Sequence, residues 1–247
     1  MHEAIVTTSW DDGHPSDLKL AELLKRYDIP ATFYIPIDNT EGECMNTQQI
    51  SEIAQSFDVG GHSYNHVNLT KIPPKEAEKE IMEGKRRLEE IIGKEVISFC
   101  YPKGSFNHEI INIAKGAGFV GARTVKLFDR SINDPFKMGT TVYAKDLWFA
   151  AYIKHLATSL DPSLFLFMIK NNLFFKGWDR IATETLDFVI KNGGVWHLWG
   201  HSWEIDGNND WGKLEAVLYQ INTLSKESLK VDNSQLLRIY ANNREGD

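Results

Sequence analysis

A chain of 247 residues, 42% hydrophobic and 25% charged, is long enough for one large α/β domain with a full core, and its composition is that of a soluble globular protein. A net charge of -7 argues against a nucleic-acid partner. Two cysteines, Cys44 and Cys100, are too few and too far apart for a disulfide framework or a cysteine-rich zinc site, and both read as reduced thiols.

Residues 1–247 are expected to form one domain. The chain opens Met1-His2-Glu3 and enters an apolar run at 4–6, with no basic stretch leading into an apolar core, which reads as cytoplasmic. The first strand breaks at Thr8-Ser9-Trp10-Asp11-Asp12-Gly13-His14, where Gly13 and Pro15 end regular geometry. Ser16 is placed to cap a helix with Leu20, Leu23, Leu24 and Tyr27 on one face, stopping before Pro30. Residues 31–35 read as a second strand, and a short helix capped by Thr47 follows the loop that carries Cys44. A brief third strand at 58–61 runs into Gly60-Gly61-His62-Ser63-Tyr64-Asn65-His66. Pro74 opens a long helix with Ala77, Ile81, Leu88 and Ile91 on its apolar line and Gly93 at its end.

Residues 96–100 form a fourth strand, Tyr101-Pro102-Lys103-Gly104-Ser105 a turn, 108–116 a helix and 119–122 a fifth strand. Further on, the run 164–169 fits a buried strand or a helix, between helices expected at 146–158 and 179–191. It is far shorter than the about 20 apolar residues that span a bilayer. Residues 195–199 form a strand ending in Gly200-His201-Ser202-Trp203, followed by a helix over 210–224 and a last strand over 236–240. Strands alternating with helices at this spacing imply a parallel sheet closing as a barrel, with functional residues at the C-terminal strand ends.

Neighbouring strand residues face opposite ways, so Asp11 and Asp12 share a site only where the strand stops being regular. One aspartate with His62 and His66 makes a three-ligand metal set that keeps a position open for water, and the other is then free to act as a base. On a helix, the i, i+4 spacing stacks the two imidazoles on one face. Each motif has a plainer reading, since adjacent aspartates before glycine form turns and spaced histidines occur on solvated helices. The metal reading gains because both motifs follow strands and so meet at one sheet edge. For a proton donor, His201 at its strand's end is favoured over His197 inside it. Trp196, Trp199, Trp203 and Trp211 serve either as core or as walls of a sugar site.

With these residues in view, the chain resembles the polysaccharide deacetylase family, carbohydrate esterases with a NodB-type domain, over nearly its whole length. Ser9-Trp10-Asp11-Asp12-Gly13 is similar to the family's Thr-Phe-Asp-Asp-Gly motif, in which the first aspartate is the general base and the second a metal ligand. His62-Ser63-Tyr64-Asn65-His66 matches its His-Ser/Thr-x-x-His metal motif. Pro102 and Gly104 match its Arg-x-Pro-x-Gly groove motif, and Leu198-Trp199-Gly200-His201 is similar to its late Leu/His motif carrying the general acid. Cys100 replaces the motif arginine, Trp10 stands where Phe is usual, and the Asp-x-x-Asp/Glu-Trp motif has no good match, Asp146-Leu147-Trp148 and the segment 129–134 being poor substitutes. Arg123, just past the fifth strand, is placed to supply the missing guanidinium.

The resemblance implies a distorted (β/α)7 or (β/α)8 barrel and a metal-dependent removal of N-acetyl or O-acetyl groups from an amino-sugar-containing saccharide or glycan precursor. It assigns Asp12, His62 and His66 to one divalent ion, Zn2+ first, with Co2+, Ni2+ or Mn2+ as alternatives. Asp11 becomes the base, His201 the acid and Arg123 the group that orients the base. Tyr101, Pro102, Gly104, Ser105, Trp199 and Trp203 line the substrate groove, with amides near Gly104 and Ser105 facing the oxyanion. Two other readings stay open: hydrolysis of a small non-carbohydrate amide on the same fold, and a catalytically inactive glycan-binding module.

Overall fold

The computed structural model of the chain describes residues 4–157, 161–225 and 228–245. Its first half alternates strands and helices: β1 (Ala4–Asp11), α1 (Asp17–Arg26), β2 (Thr32–Ile35), α2 (Thr47–Ala54), β3 (Asp58–Gly61), α3 (Pro74–Ile92), β4 (Ser98–Cys100), α4 (His108–Gly116) and β5 (Gly121–Arg123). The second half runs β6 (Val142–Tyr143), α5 (Phe149–Ala157), α6 (Pro162–Lys170), α7 (Trp178–Asn192), β7 (Gly194–Gly200), α8 (Ser202–Gly207), α9 (Trp211–Leu224), β8 (Leu229–Lys230) and α10 (Asn233–Glu245). Thr158, the expected end of one helix, lies outside the described residues. No helix among the described residues is long and apolar enough to cross a membrane.

The strands lie in the order β5-β4-β3-β2-β1-β7-β6 and pair in parallel, with β8 joined to the start of β1. Between the edges the chain itself makes the bridge. Met138 pairs with Arg123 on β5, and four residues later Val142 pairs with Leu198 on β7. The result is a curled sheet of the distorted (β/α)7 NodB type. Alternation sorts its two faces. Val6 and Trp10 are fully buried in the apolar cluster that includes Leu20 and Leu24 of α1, while Thr7, Ser9 and Asp11 point into the curl. Trp196 likewise leaves β7 outward, its indole N–H donating to the Thr185 hydroxyl of α7 at 3.0 Å.

The interior of the curl is polar and is plugged from below by α10. Asn233 takes a bond from the Thr7 hydroxyl and gives one to the Tyr34 hydroxyl, and its backbone N–H donates to Thr32 Oγ1 at 2.8 Å. Ser234 donates to the Asp58 carboxylate at 2.8 Å. This helix occupies the 236–240 stretch for which the sequence suggested a last strand. The reason is a reciprocal cap: Gln235 N–H donates to Asp232 Oδ1 at 2.7 Å while Asp232 N–H donates to Gln235 Oε1 at 3.2 Å. Leu236 and Leu237 then fall on the buried side of a helix rather than on two faces of a strand.

Smaller differences have similar causes. The run 164–169 is helical, led in by Asp161, whose carboxylate accepts from the Ser163 and Leu164 amides. Asn46 rather than Thr47 caps α2, in a capping box with Gln49. Ser16 makes no side-chain cap on α1, and its N–H donates to His14 Nδ1 at 3.1 Å.

The long helix α3 serves the region past β3 directly. Gly84 faces the backbone of Ser63, and a Cβ there would stand 2.7 Å from the Ser63 carbonyl carbon. Alanine has the higher helix propensity by about 1 kcal/mol, which taken alone forecasts a more stable protein. The clash is with backbone and forces a shift, so Gly84→Ala is expected to destabilise by about 1–3 kcal/mol despite that propensity. A urea midpoint at or above that of the unsubstituted protein would remove this packing argument.

Candidate active site

Six strand ends converge at the C-terminal edge of the sheet. Asp11 ends β1 and Asp12 follows it, His62 and His66 follow β3, Tyr101 follows β4, Arg123 ends β5, Tyr143 ends β6, and His201 follows β7. They meet around a cavity of about 290 Å³ whose walls include Asp11, Asp12, His62, His66, Tyr101, Gly104, Tyr143, Trp199 and His201. Val125, Leu127 and Leu147 give it an apolar side.

Adjacent aspartates reach one site because Asp12 leaves the strand in the left-handed region, at φ 78, followed by Gly13 at φ 61. Each carboxylate then has one oxygen held and one left over. Asp11 Oδ2 is gripped by the Arg123 guanidinium, with the Cys100 thiol 3.6 Å away, while Asp11 Oδ1 is buried without a hydrogen bond. Asp12 Oδ2 accepts from the Trp203 indole N–H at 3.0 Å, while Asp12 Oδ1 is likewise buried and unbonded.

The leftover oxygen of Asp12 faces both histidines, 3.2 Å from His66 Nε2 and 3.6 Å from His62 Nε2. His62 Nδ1 donates to the Cys100 carbonyl at 2.8 Å, which commits that nitrogen and turns the Nε2 lone pair toward Asp12. Asp12, His62 and His66 thus place three donor atoms within 4.8 Å of one another. Asp11, His62 and Cys100 also come together at that range, but there Asp11 Oδ2 and the Cys100 sulfur already face the Arg123 guanidinium and His62 Nδ1 is committed to a carbonyl. The orphaned Asp12 oxygen between two imidazole nitrogens is what fits a divalent cation.

The electrostatics follow the geometry. Burial works to raise the Asp12 carboxyl, but the surrounding His62, His201 and His66 imidazoles outweigh it and hold it well below the ordinary carboxylate range. Burial and the neighbouring His62 press the His66 imidazole down to about 4, so at neutral pH it presents a lone pair. His201 moves the other way. Burial opposes its charge, but the Glu204 hydrogen bond and the Asp12 and Asp11 charges outweigh burial and raise it.

The histidines do not ride a helix. Residues 62–66 form a turn with Ser63 at φ 64 and His66 at φ 54, and this corrects the helical-face expectation. Glu80 of α3 holds the turn, its carboxylate accepting the Tyr64 and Asn65 amides at 3.1 and 2.8 Å and the Asn65 side chain at 2.6 Å. His201 is also held: its Nδ1 lies 2.7 Å from Glu204 Oε2, and that carboxylate also takes the Tyr143 hydroxyl and the Lys145 ammonium. Its Nε2 stands 3.8 Å from Asp12 Oδ2. Sequence reasoning missed both glutamates. Glu204 carried one signal, its place three residues after His201 at a helix start; Glu80 carried none.

Other groove residues divide. Trp199 stacks on Tyr143 with ring centroids 4.1 Å apart and walls the cavity, whereas Trp203 borders a second cavity of about 330 Å³ on the far side of Asp12 and His66. His14 also borders that second cavity. Pro102 is buried in a 3-10 turn, and Ser105 accepts from Asn68 at 3.3 Å. The amides expected to face an oxyanion are committed within that turn, Gly104 N–H to the Tyr101 carbonyl at 2.9 Å and Ser105 N–H to the Pro102 carbonyl at 3.2 Å. A turn that tight uses its own donors, so those two amides are not free for substrate. His197 is buried beneath the site with its Nε2 2.8 Å from Ser9 Oγ, and burial and the Arg123 charge hold it well below the ordinary histidine range.

This fold is that of the NodB-type deacetylases. Residues 1–122 match the polysaccharide deacetylase family, and it is to this family that this part of the chain belongs. Among curated proteins, the chain is 26% identical over 120 residues to the peptidoglycan-N-acetylglucosamine deacetylase of Bacillus cereus, covering 48% of this chain and 55% of that protein. It is also 26% identical over 113 residues to an uncharacterized protein of Bacillus subtilis, covering 44% of this chain and 33% of the relative. The aligned regions thus span about half and a third of these relatives. A putative polysaccharide deacetylase from Mycobacterium smegmatis shares the fold with a TM-score of 0.71 at 14% identity, over 98% of this chain and 92% of that one. A family 4 carbohydrate esterase from Streptomyces lividans, solved with acetate, does so at 0.55 and 15%, over 92% and 91%. A family 4 pseudoenzyme from Bacillus anthracis aligns at 0.55 and 18%, over 94% of this chain and 65% of that one.

Cys100 and Arg123 are register partners across β4 and β5, so the guanidinium reaches Asp11 from the next strand at the same rank. Arg123→Met leaves a buried carboxylate unpaired and is expected to lower stability by about 3–5 kcal/mol. Adding Cys100→Arg returns a guanidinium from the neighbouring strand and should recover part of that loss. Guanidinium-chloride unfolding of the single and double variants checks both; an unchanged midpoint for Arg123→Met would mean that the ion pair contributes nothing net.

Proposed function

We propose that the protein is a metal-dependent hydrolase that removes N-acetyl or O-acetyl groups from an amino-sugar-containing saccharide. The observation that carries the reading is the pair of aspartates, each with one oxygen anchored and one unbonded, set between two histidines on one side and His201 on the other. A family fold alone does not entail turnover, since a pseudoenzyme shares it. What supports turnover here is that a base, an acid and a ligand set stand together in one cavity.

Asp12, His62 and His66 would hold one divalent cation, with zinc suited to two imidazoles and a carboxylate. Bound there, it would polarise the acetyl carbonyl, lower the pKa of water toward about 7 and carry negative charge as the carbonyl is attacked. Asp11 takes the proton of the attacking water on Oδ1, the oxygen that Arg123 does not use. Arg123 keeps that carboxylate aimed. His201, its Nδ1 fixed by Glu204, gives its Nε2 proton to the departing amine or alcohol. The apolar side formed by Val125, Leu127 and Leu147 suits the acetyl methyl. Acetate and the free amine or hydroxyl leave.

Substitution by asparagine separates the aspartates with little change in shape. Asp11→Asn is expected to keep the ion and lose about 10²- to 10⁴-fold in acetate release. Asp12→Asn should lose the ion and regain part of its activity in excess zinc. Metal content and acetate release on acetylated chito-oligomers, measured on the same samples, test both. Metal loss from Asp11→Asn with full turnover by Asp12→Asn would reverse the two roles, and absence of acetate from any acetylated sugar would favour the binding-module reading.

The raised His201 predicts a pH signature. A general acid with a raised pKa stays protonated to higher pH, and activity that depends on it falls as pH rises through that value. Glu204→Gln removes a favourable charge, so the alkaline limb of kcat/KM should move to lower pH, by about 1 to 3 pH units. A limb that stays put would assign it to another group.

A further inference from the structure

We propose that Trp203 is a positioning residue for Asp12, its indole N–H holding one carboxylate oxygen so that the other alone faces the cation. This rests on the metal site described above. Trp203 is the second residue of α8, and its side chain is 42% exposed. An indole at the surface has water for its N–H. Here the N–H turns inward instead and donates at 3.0 Å to a carboxylate that is itself buried. The helix carrying it is fixed on both sides of the tryptophan, because Ser202, Glu204 and Ile205 are all buried. The ring also lies against His201, with centroids 5.3 Å apart.

The consequence lies at the opposite oxygen. With Oδ2 engaged, Asp12 presents Oδ1 between His62 Nε2 and His66 Nε2, and the carboxylate resists the rotation that would bring both oxygens onto one ion. One oxygen and two nitrogens leave coordination positions for water and for a substrate oxygen. Loss of a hydrogen bond that orients a ligand typically lowers metal affinity about 10- to 100-fold. Trp203 also borders the second cavity with His14, Asn39 and Glu41, so its ring has a second role that must be separated from the N–H.

Trp203→Phe keeps a ring and removes the donor, whereas Trp203→Ala removes both. Each apoprotein is titrated with Zn2+ against a chromophoric chelator, and with Co2+ while its visible d–d absorption is recorded. The expected result is one Zn2+ per chain in the unsubstituted protein and about 10- to 100-fold weaker binding in Trp203→Phe, with no comparable change in apoprotein melting. The cobalt bands of that variant should weaken as the coordination number rises, and Trp203→Ala should bind zinc no more weakly than Trp203→Phe. Unchanged zinc affinity and an unchanged cobalt spectrum in Trp203→Phe would overturn the proposal, as would a deficit seen in Trp203→Ala alone or one that follows a fall in apoprotein melting. An unsubstituted protein that binds neither ion overturns the metal reading itself, and this inference with it.

Discussion

The buried ion pair between Asp11 and Arg123 is the interaction on which the remainder of the structure turns. Asp11 ends β1 and Arg123 ends β5, and β2, β3 and β4 lie between them in the sheet. Side chains four strands apart touch only if the sheet curls, so the pair spans the interior and fixes the curvature that brings the strand ends together. A buried pair of charges is supported by contacts to its remaining polar atoms, and here only Asp11 Oδ1 and Arg123 Nε are left without a hydrogen bond. Arg123 Nη1 donates to the Thr124 carbonyl at 3.3 Å, Nη2 lies 2.9 Å from the Cys100 sulfur, and the guanidinium sits against the Trp199 and Tyr34 rings at 4.7 and 5.3 Å. Cys100 is therefore more than a substitute for a missing arginine. A small side chain there makes room for the guanidinium from β5, and its sulfur faces the same group.

Below that pair the interior is a stack of polar contacts rather than an oily core. Ser9 meets His197, Thr7 meets Asn233, and Asp58 meets Ser234, each joining elements far apart in sequence. The large apolar core lies outside the sheet, between strands and helices, and a small second cluster of Met138, Val231, Leu236 and Leu237 packs where α10 closes the curl. Such a division makes the fold depend on satisfied hydrogen bonds inside and on packing outside, and it explains why α10, whose first turn supplies Asn233 and Ser234, belongs to the barrel although it contributes no strand.

Much of this was legible in sequence because parallel α/β chains repeat a simple rule. Alternation of β-branched runs with amphipathic helices locates β1 to β5 and β7, and the rule that sites gather at strand ends joins Asp11, Asp12, His62, His66 and His201. Arg123 could be found because it stands just past the expected fifth strand, beside a fourth strand that ends in Cys100 where the family motif has arginine. What stayed hidden were partners supplied by tertiary contact. Nothing in the pattern of α3 marks Glu80 as the anchor of the histidine turn, since it is one of several glutamates on a charged helix. The Gly104 and Ser105 amides failed as oxyanion donors because a 3-10 turn consumes its own N–H groups, a detail of backbone closure that residue types do not reveal. The 236–240 stretch misled for a related reason: two leucines and a β-branched residue suit either structure, and the Asp232/Gln235 cap decides between them.

Backbone strain is distributed in a way that bears on function. Of the eight non-glycine residues with positive φ among those described, Asp12, Ser63, His66 and Lys103 belong to the segments that wall the site. Such conformations are unfavourable by about 1–3 kcal/mol each and persist only where surrounding contacts over-determine them. Those contacts are identifiable. Glu80 and the close approach of Gly84 hold the Ser63 to His66 turn, the Trp203 N–H holds Asp12, and Lys103 pairs with Glu41 at 2.5 Å across the rim. Regular geometry would send Asp11 and Asp12 to opposite faces of the sheet, and relaxing the histidine turn would separate two nitrogens that now face one oxygen. The strained residues are thus the ones whose relaxation would dismantle the donor set, and the groups that oppose relaxation are largely those that sequence patterns do not disclose.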